Sequence, residues 1–149
     1  MALALGRIGE PAAAPALVAA LSVKDAPLRS AALQALRELR GPLDPRPATA
    51  LLGDAAEDVR GEAAYTVAVA VARMGRTPDA GSRDQATAAL IRRLVVDPSA
   101  SVRRKAAWAL GEIGASTALA GPALHGSAAR DADLSVRTLA RAAIGRLTP

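Results

Sequence analysis

Residues 101–115 read SVRRKAAWALGEIGA, with three basic side chains in a row, Arg103, Arg104 and Lys105, followed by Trp108, the only tryptophan of the chain. Either the stretch grips an acidic partner, or it is one copy of a repeated structural unit. Its apolar spacing settles the local structure first. Val102, Ala106, Ala109, Leu110 and Ile113 recur at steps of three and four, which puts them on one face of a helix. Gly114 follows the last of them, as glycine does at helix C-termini.

The same pattern occurs elsewhere. An apolar residue followed by arginine is found at Leu28-Arg29, Val59-Arg60, Val102-Arg103 and Val136-Arg137, with the arginines 31, 43 and 34 residues apart. Each pair opens a run of small and apolar residues at helical spacing: LRSAALQALRELRG, VRGEAAYTVAVAVARMG, VRRKAAWALGEIG and VRTLARAAIGRL. Gly75 closes the second run as Gly114 closes the third. Asp54, Asp97 and Asp131 each stand six residues before the arginine of their copy; in the first copy that place holds Val23, and Asp25 is the alternative cap. Asp97-Pro98 reads as an N-cap followed by a first-turn proline. Shorter amphipathic segments lie between the runs, EPAAAPALVAAL, RPATALL, SRDQATAALIRRLVV and STALAGPALHGSAA. The result is a string of helical hairpins at the period of helical solenoids. The 43-residue interval is accounted for by about one extra helical turn through AVAVARMG and by an enlarged loop, RTPDAGSRDQ, whose part from Arg76 to Arg83 is a second possible contact region.

The unit resembles the HEAT repeat, in particular the bacterial type known from phycobilisome-lyase-like proteins. There a first helix leads through an Asp-containing turn into a second helix that opens VR and continues A-x-x-A-L-G-x-I-G. LIRRLVVDPSASVRRKAAWALGEIG and GPALHGSAARDADLSVRTLARAAIGRL carry the likeness most closely. It implies an all-α fold, a right-handed α-α superhelix of about four hairpins. One solenoid domain over 1–149 is expected, with repeats near 11–40, 42–75, 83–114 and 116–147. Residues 1–9, MALALGRIG, match the last two-thirds of a second helix and read as a partial repeat. Such an uncapped end would leave an apolar flank open to self-association.

The resemblance also assigns roles. Second helices line the concave surface, and the repeat arginines bond turn aspartates of their own or a neighbouring repeat. Arg29, Arg60, Arg103 and Arg137, with Asp54, Asp97 and Asp131, are therefore expected to be structural, a role that suits the planar guanidinium fork. This divides the opening triplet: Arg103 belongs to the repeat, while Arg104 and Lys105 are surface charges. Trp108 and Tyr65, the only aromatic residues, both lie five positions after a repeat arginine; Gln34 and Ala142 hold that place in the other copies. Tyr65, Trp108, Arg104 and Gln34, with Lys105 and Glu112 at the rim, form the expected partner-binding set, since aromatic and arginine side chains dominate binding hot spots. The alternative for the two rings is packing between consecutive second helices.

Composition narrows the remaining classes. Of 149 residues 51% are hydrophobic but only 1% aromatic, so alanine and leucine must build a core of closely packed helices. The net charge is +5. Nearly all of the basic charge is arginine, with lysine only at positions 24 and 105, a bias that GC-rich coding also produces. With no cysteine there is no disulfide or zinc thiolate. The one histidine, His125, cannot by itself furnish a metal cluster or a Ser-His-Asp arrangement. No bilin site is marked, and Gly111, Gly114 and Gly121 read as helix ends or close-packing points, not a phosphate cradle. The longest apolar stretch, Ala63 to Ala72, is too short to span a bilayer, which points to a soluble, cytoplasmic protein without cofactor. The reading is a non-enzymatic scaffold binding a protein or peptide on its concave face. The rival is duplex DNA, as bound by the HEAT-like alkylpurine DNA glycosylases, with Arg104, Lys105 and Arg141 following the backbone and Glu38, Glu62 and Glu112 diluting the potential.

Overall fold

The computed structural model describes residues 11–74 and 80–149, and among these every extended element is an α-helix or a short 3-10 turn. The expected partial repeat at 1–9 and the helix end at Gly75 lie outside the described residues. The chain divides into two compact units, Met1–Pro78 and Asp79–Pro149.

In the first unit a 3-10 turn, Pro11–Ala13, leads into α1 (Ala14–Ala20), which pairs with α2 (Ala26–Glu38). Helix α3 (Arg46–Ala50) runs into the 3-10 turn Leu51–Gly53 and pairs with α4 (Glu57–Arg73). Helix α2 buries Ala32, Leu33, Ala35 and Leu36 and packs against α4. It stops where Leu39 turns extended and Gly41 takes φ +90, a conformation that glycine adopts without steric cost. The 17 residues of α4 exceed the 13 of α2 by about one turn, as AVAVARMG suggested. The added turn carries Arg73, whose guanidinium donates to the carbonyls of Leu39 (2.6 Å) and Arg37 (2.7 Å). It thereby satisfies carbonyls that the end of α2 leaves open.

The second unit comprises α5 (Ala80–Val96), α6 (Ala100–Glu112), α7 (Thr117–Arg130) and α8 (Leu134–Ile144). Helix α5 packs on α6 and on α7; α8 packs on α7 and on α6. First helices thus form one layer and second helices the other. The enlarged loop is shorter than expected, because α5 already begins at Ala80. Ser82, Ala86, Thr87, Leu90 and Leu94 make a buried stripe down α5, as the amphipathic segment SRDQATAALIRRLVV suggests.

The helix starts also depart from expectation. Ser99, not Asp97, caps α6, its Oγ accepting from the Val102 N–H (3.4 Å), and Asp133 caps α8 through Val136 N–H (3.0 Å). Asp97 lies two residues too early, and its Oδ1 accepts the Ser99 N–H instead (3.0 Å). Asp25 occupies the cap position of α2 without a side-chain capping bond. Gly114 does end α6, at φ +56. Val59, Val102 and Val136 of the apolar-arginine pairs are buried, whereas Leu28 remains 40% exposed.

Candidate functional site

Each repeat arginine is anchored in its own turn in the same way. One Nη1 donates to the two carbonyls six and five residues earlier: Arg29 to Val23 and Lys24, Arg60 to Asp54 and Ala55, Arg103 to Asp97 and Pro98, Arg137 to Asp131 and Ala132. This bond needs only backbone, so Val23 does not disturb it. The opposite edge of the fork reaches the next hairpin. Arg29 donates through Nε and Nη2 to the two carboxylate oxygens of Asp54, both at 2.8 Å. Arg103 does the same to Asp131 at 2.8 and 3.0 Å. The aspartates in turn hold their own turns, Oδ1 of Asp54 accepting from Ala56 N–H and that of Asp131 from Asp133 N–H. One guanidinium therefore clamps two successive hairpins, and lysine, a point charge, has no such geometry.

The electrostatics follow. The Arg103 hydrogen bond, working against desolvation and aided by the Asp133 N–H and the charges of Arg103 and Arg137, holds Asp131 below its ordinary pKa. Burial pushes the Asp54 carboxyl up. The bonds from Arg29 and Ala56 N–H, with the charges of Arg29 and Arg60, outweigh it and leave Asp54 lowered. Hydrogen bonds to these carboxylates raise Arg29 and Arg103.

The outward residues sit differently in the two units. In the first, Tyr65 is half-buried and Arg37 lies over its ring, 5.7 Å from the centroid. Arg37 also pairs with Glu62 (2.7 Å) and donates to Thr66 Oγ1 and the Glu62 carbonyl. Gln34, half-buried, borders a groove between the N-terminal halves of α2 and α4 with Ser30, Ala31, Asp58 and Val59. Arg37, which is not in the expected partner-binding set, is the side chain over the ring. A signal existed: Arg37 precedes Glu62 by 25 residues, the separation of Arg29 and Asp54.

In the second unit Arg104 and Glu112 are exposed, and Lys105 and Trp108 are half-buried. Trp108 lines a small cleft with Gly111, Leu139, Ala142, Ala143 and Arg146. Its counterpart Ala142 is thus beside it, and the ring leans over the seam between α6 and α8 while keeping part of its surface open. Gly111 sets the depth of that seam. A Cβ added there would stand 3.0 Å from Ala143 Cα and 3.1 Å from Ala143 Cβ, so the two helices touch backbone to backbone. Glu112, expected at the binding rim, is ion-paired with Arg146. The chain end is fastened nearby: Thr148 exchanges bonds with Ala115 and Thr117, and its Oγ1 donates to the Gly114 carbonyl.

Among the described residues no group of three or more His, Asp or Glu is placed to hold a metal ion, and no helix is long and apolar enough to cross a membrane. His125 is exposed on α7. No curated protein sequence matches the chain significantly. Residues 1–68 and 47–145 each match the family model for HEAT repeats. Repeats of this family are in general non-catalytic scaffolds for protein interaction. Hairpin stacking, the arginine clamp and these matches, which together cover nearly the whole chain, make it a member of the HEAT-repeat proteins.

Proposed function

We propose that the chain acts as one non-catalytic scaffold, of the phycobilisome-lyase-like HEAT type, which binds a protein or extended peptide on the outward faces of its second helices. Gln34 and Tyr65 contribute from α2 and α4, and Trp108, Arg104, Lys105 and Glu112 from α6. The observation that carries this reading is the contrast between adjacent residues. Arg103 is fixed by four hydrogen bonds to turn and neighbour, while Arg104, one position on, is exposed and makes no hydrogen bond or ion pair among the described residues. It lies one turn from a half-buried indole with open surface, the combination that supplies binding anchors.

The duplex DNA reading receives less support. Arg141, one of its three contacts, donates to the Ala128 carbonyl of its own hairpin (3.1 Å). Arg37 and Arg146 are matched to glutamates. The test is affinity capture with the full chain, followed by measured affinities of the captured protein for Trp108→Ala and Arg104→Ala. Each variant is expected to weaken binding at least about tenfold, the effect of losing one anchor, with an unchanged melting temperature for Arg104→Ala and unchanged helicity for Trp108→Ala. Unchanged affinity in both would refute the assignment. Duplex binding that falls steeply between low and moderate salt would replace it with the rival.

A further inference from the structure

The first helices of the second unit carry a surface that its clamp and seams leave unused. Of the six large apolar side chains exposed among the described residues, three lie on α5 and α7: Val95 (57%), Val96 (60%) and Leu119 (51%). Between these two helices runs a groove of about 330 Å³. Leu94 and Val95 wall it on one side, and Pro122, Ala123, Gly126 and Ser127 on the other. Leu119 stands one turn before Pro122 and Ala123 and continues their row. The α7 wall is made of small residues, so a partner's backbone can come close. Arg130 also lines the groove and lies back over Gly126, where an added Cβ would stand 3.2 Å from its Nη2. Arg92 is exposed one turn before Val95 and Val96. Neither arginine makes a hydrogen bond or ion pair among the described residues. The carboxylates at this end are taken, Asp97 by Arg93 and Asp131 by Arg103. Along α5 and α7 the only acidic residue is Asp84, two turns before Arg92.

We infer that this groove docks an amphipathic helix of another protein whose apolar stripe is flanked by aspartate or glutamate. The valines and Leu119 take the stripe out of water, and Arg92 and Arg130 meet the flanking carboxylates. A second copy of this chain is not the occupant through the same face, because Arg92 and Arg130 of the two copies would oppose one another. An anionic membrane fits less well, since Val95 walls a groove and Arg130 lies within it. Nucleic acid fits less well still: apolar side chains hold the centre, and neither helix carries an aromatic ring for base stacking. The surface belongs to first helices and does not depend on the outward residues of α2, α4 and α6 proposed above.

The test presents the full chain to a display library of helical peptides, with leucine fixed along one stripe and the flanking positions varied among Glu, Gln and Lys. Selected peptides are expected to carry Glu at the flanks. Their affinity should fall at least about tenfold for the double variant Arg92→Glu, Arg130→Glu, and Lys-flanked counterparts should bind that variant instead. Val95→Ser should weaken binding as well, and backbone amide shifts on peptide addition should centre on Val95, Ala123 and Gly126. Trp108→Ala should bind as the parent does, which separates this surface from the one on α6. No enrichment, or enrichment of Gln or Lys flanks, would overturn the inference. So would equal affinity for the charge-reversed variant with the parent's helicity retained, or an equal loss in Trp108→Ala. Sedimentation of the chain with vesicles of phosphatidylserine and phosphatidylcholine, lost in the charge-reversed variant, would replace the partner helix with a lipid surface.

Discussion

The two units share one clamp and differ eight residues further along the second helix. In the first unit that place holds Arg37, which crosses to α4, pairs with Glu62 and covers the Tyr65 ring. In the second it holds Gly111, and α8 comes into backbone contact with α6 under Trp108. A long cation lies across one seam; at the other a missing side chain allows backbone contact. The clamp sets the order of hairpins, and the residue two turns later sets how closely they approach. On the second helices, only what lies outward of both is left for partners.

Several substitutions would break or sharpen that contrast. The largest effect belongs to the shared element. Arg103→Ala removes four hydrogen bonds and strands the Asp131 carboxylate, so chemical denaturation should show a loss of about 2–3 kcal/mol. Arg103→Lys should recover only part of it. Gly111→Ala comes next. Alanine is the better helix former, but its methyl would meet the Ala143 backbone, and we expect a net loss of about 1–2 kcal/mol. Stability equal to or above the parent would mean that the seam is not set there. Arg37→Ala should cost about 1 kcal/mol, the scale for a partly exposed ion pair with two further, long hydrogen bonds.

Acid titration tests the clamp in both units together. Asp54 and Asp131 have pKa values lowered in the folded chain, so their contribution is complete above the ordinary carboxylate value of about 3.9 and is lost as pH falls through the lowered one. Melting temperature should therefore drop more steeply below about pH 4 in the parent than in Asp131→Asn. The smallest effect is spectroscopic. Trp108 emission should lie between the buried and free extremes and be partly quenchable by iodide; complete protection would assign the ring wholly to packing.

Much of this was legible in the chain itself. The period of small and apolar residues located the second helices, and glycine marked the end of α6. The arginines stood out because all four copies repeat them at one place in the helix. Their turn bonds are local, lying five and six residues back, and local geometry is what a sequence encodes most directly. Contacts across a seam were harder, because they depend on the register between two helices that no single helix specifies. Arg37 over Tyr65 and Gly111 against Ala143 are of this kind. The cap of α6 was misassigned for another reason: Asp97 and Ser99 are both good cap residues, and only the turn conformation shows which one has the helix N–H within reach.

The account depends on Arg103 acting through Asp131, and a double-mutant cycle between them measures that directly. Arg103→Ala, Asp131→Ala and the double variant should give a coupling of about 1–2 kcal/mol, whereas the same cycle with Arg104 should give one near zero. If Arg103→Ala costs as much without Asp131 as with it, or if Arg104 couples as strongly, the clamp does not hold the hairpins together.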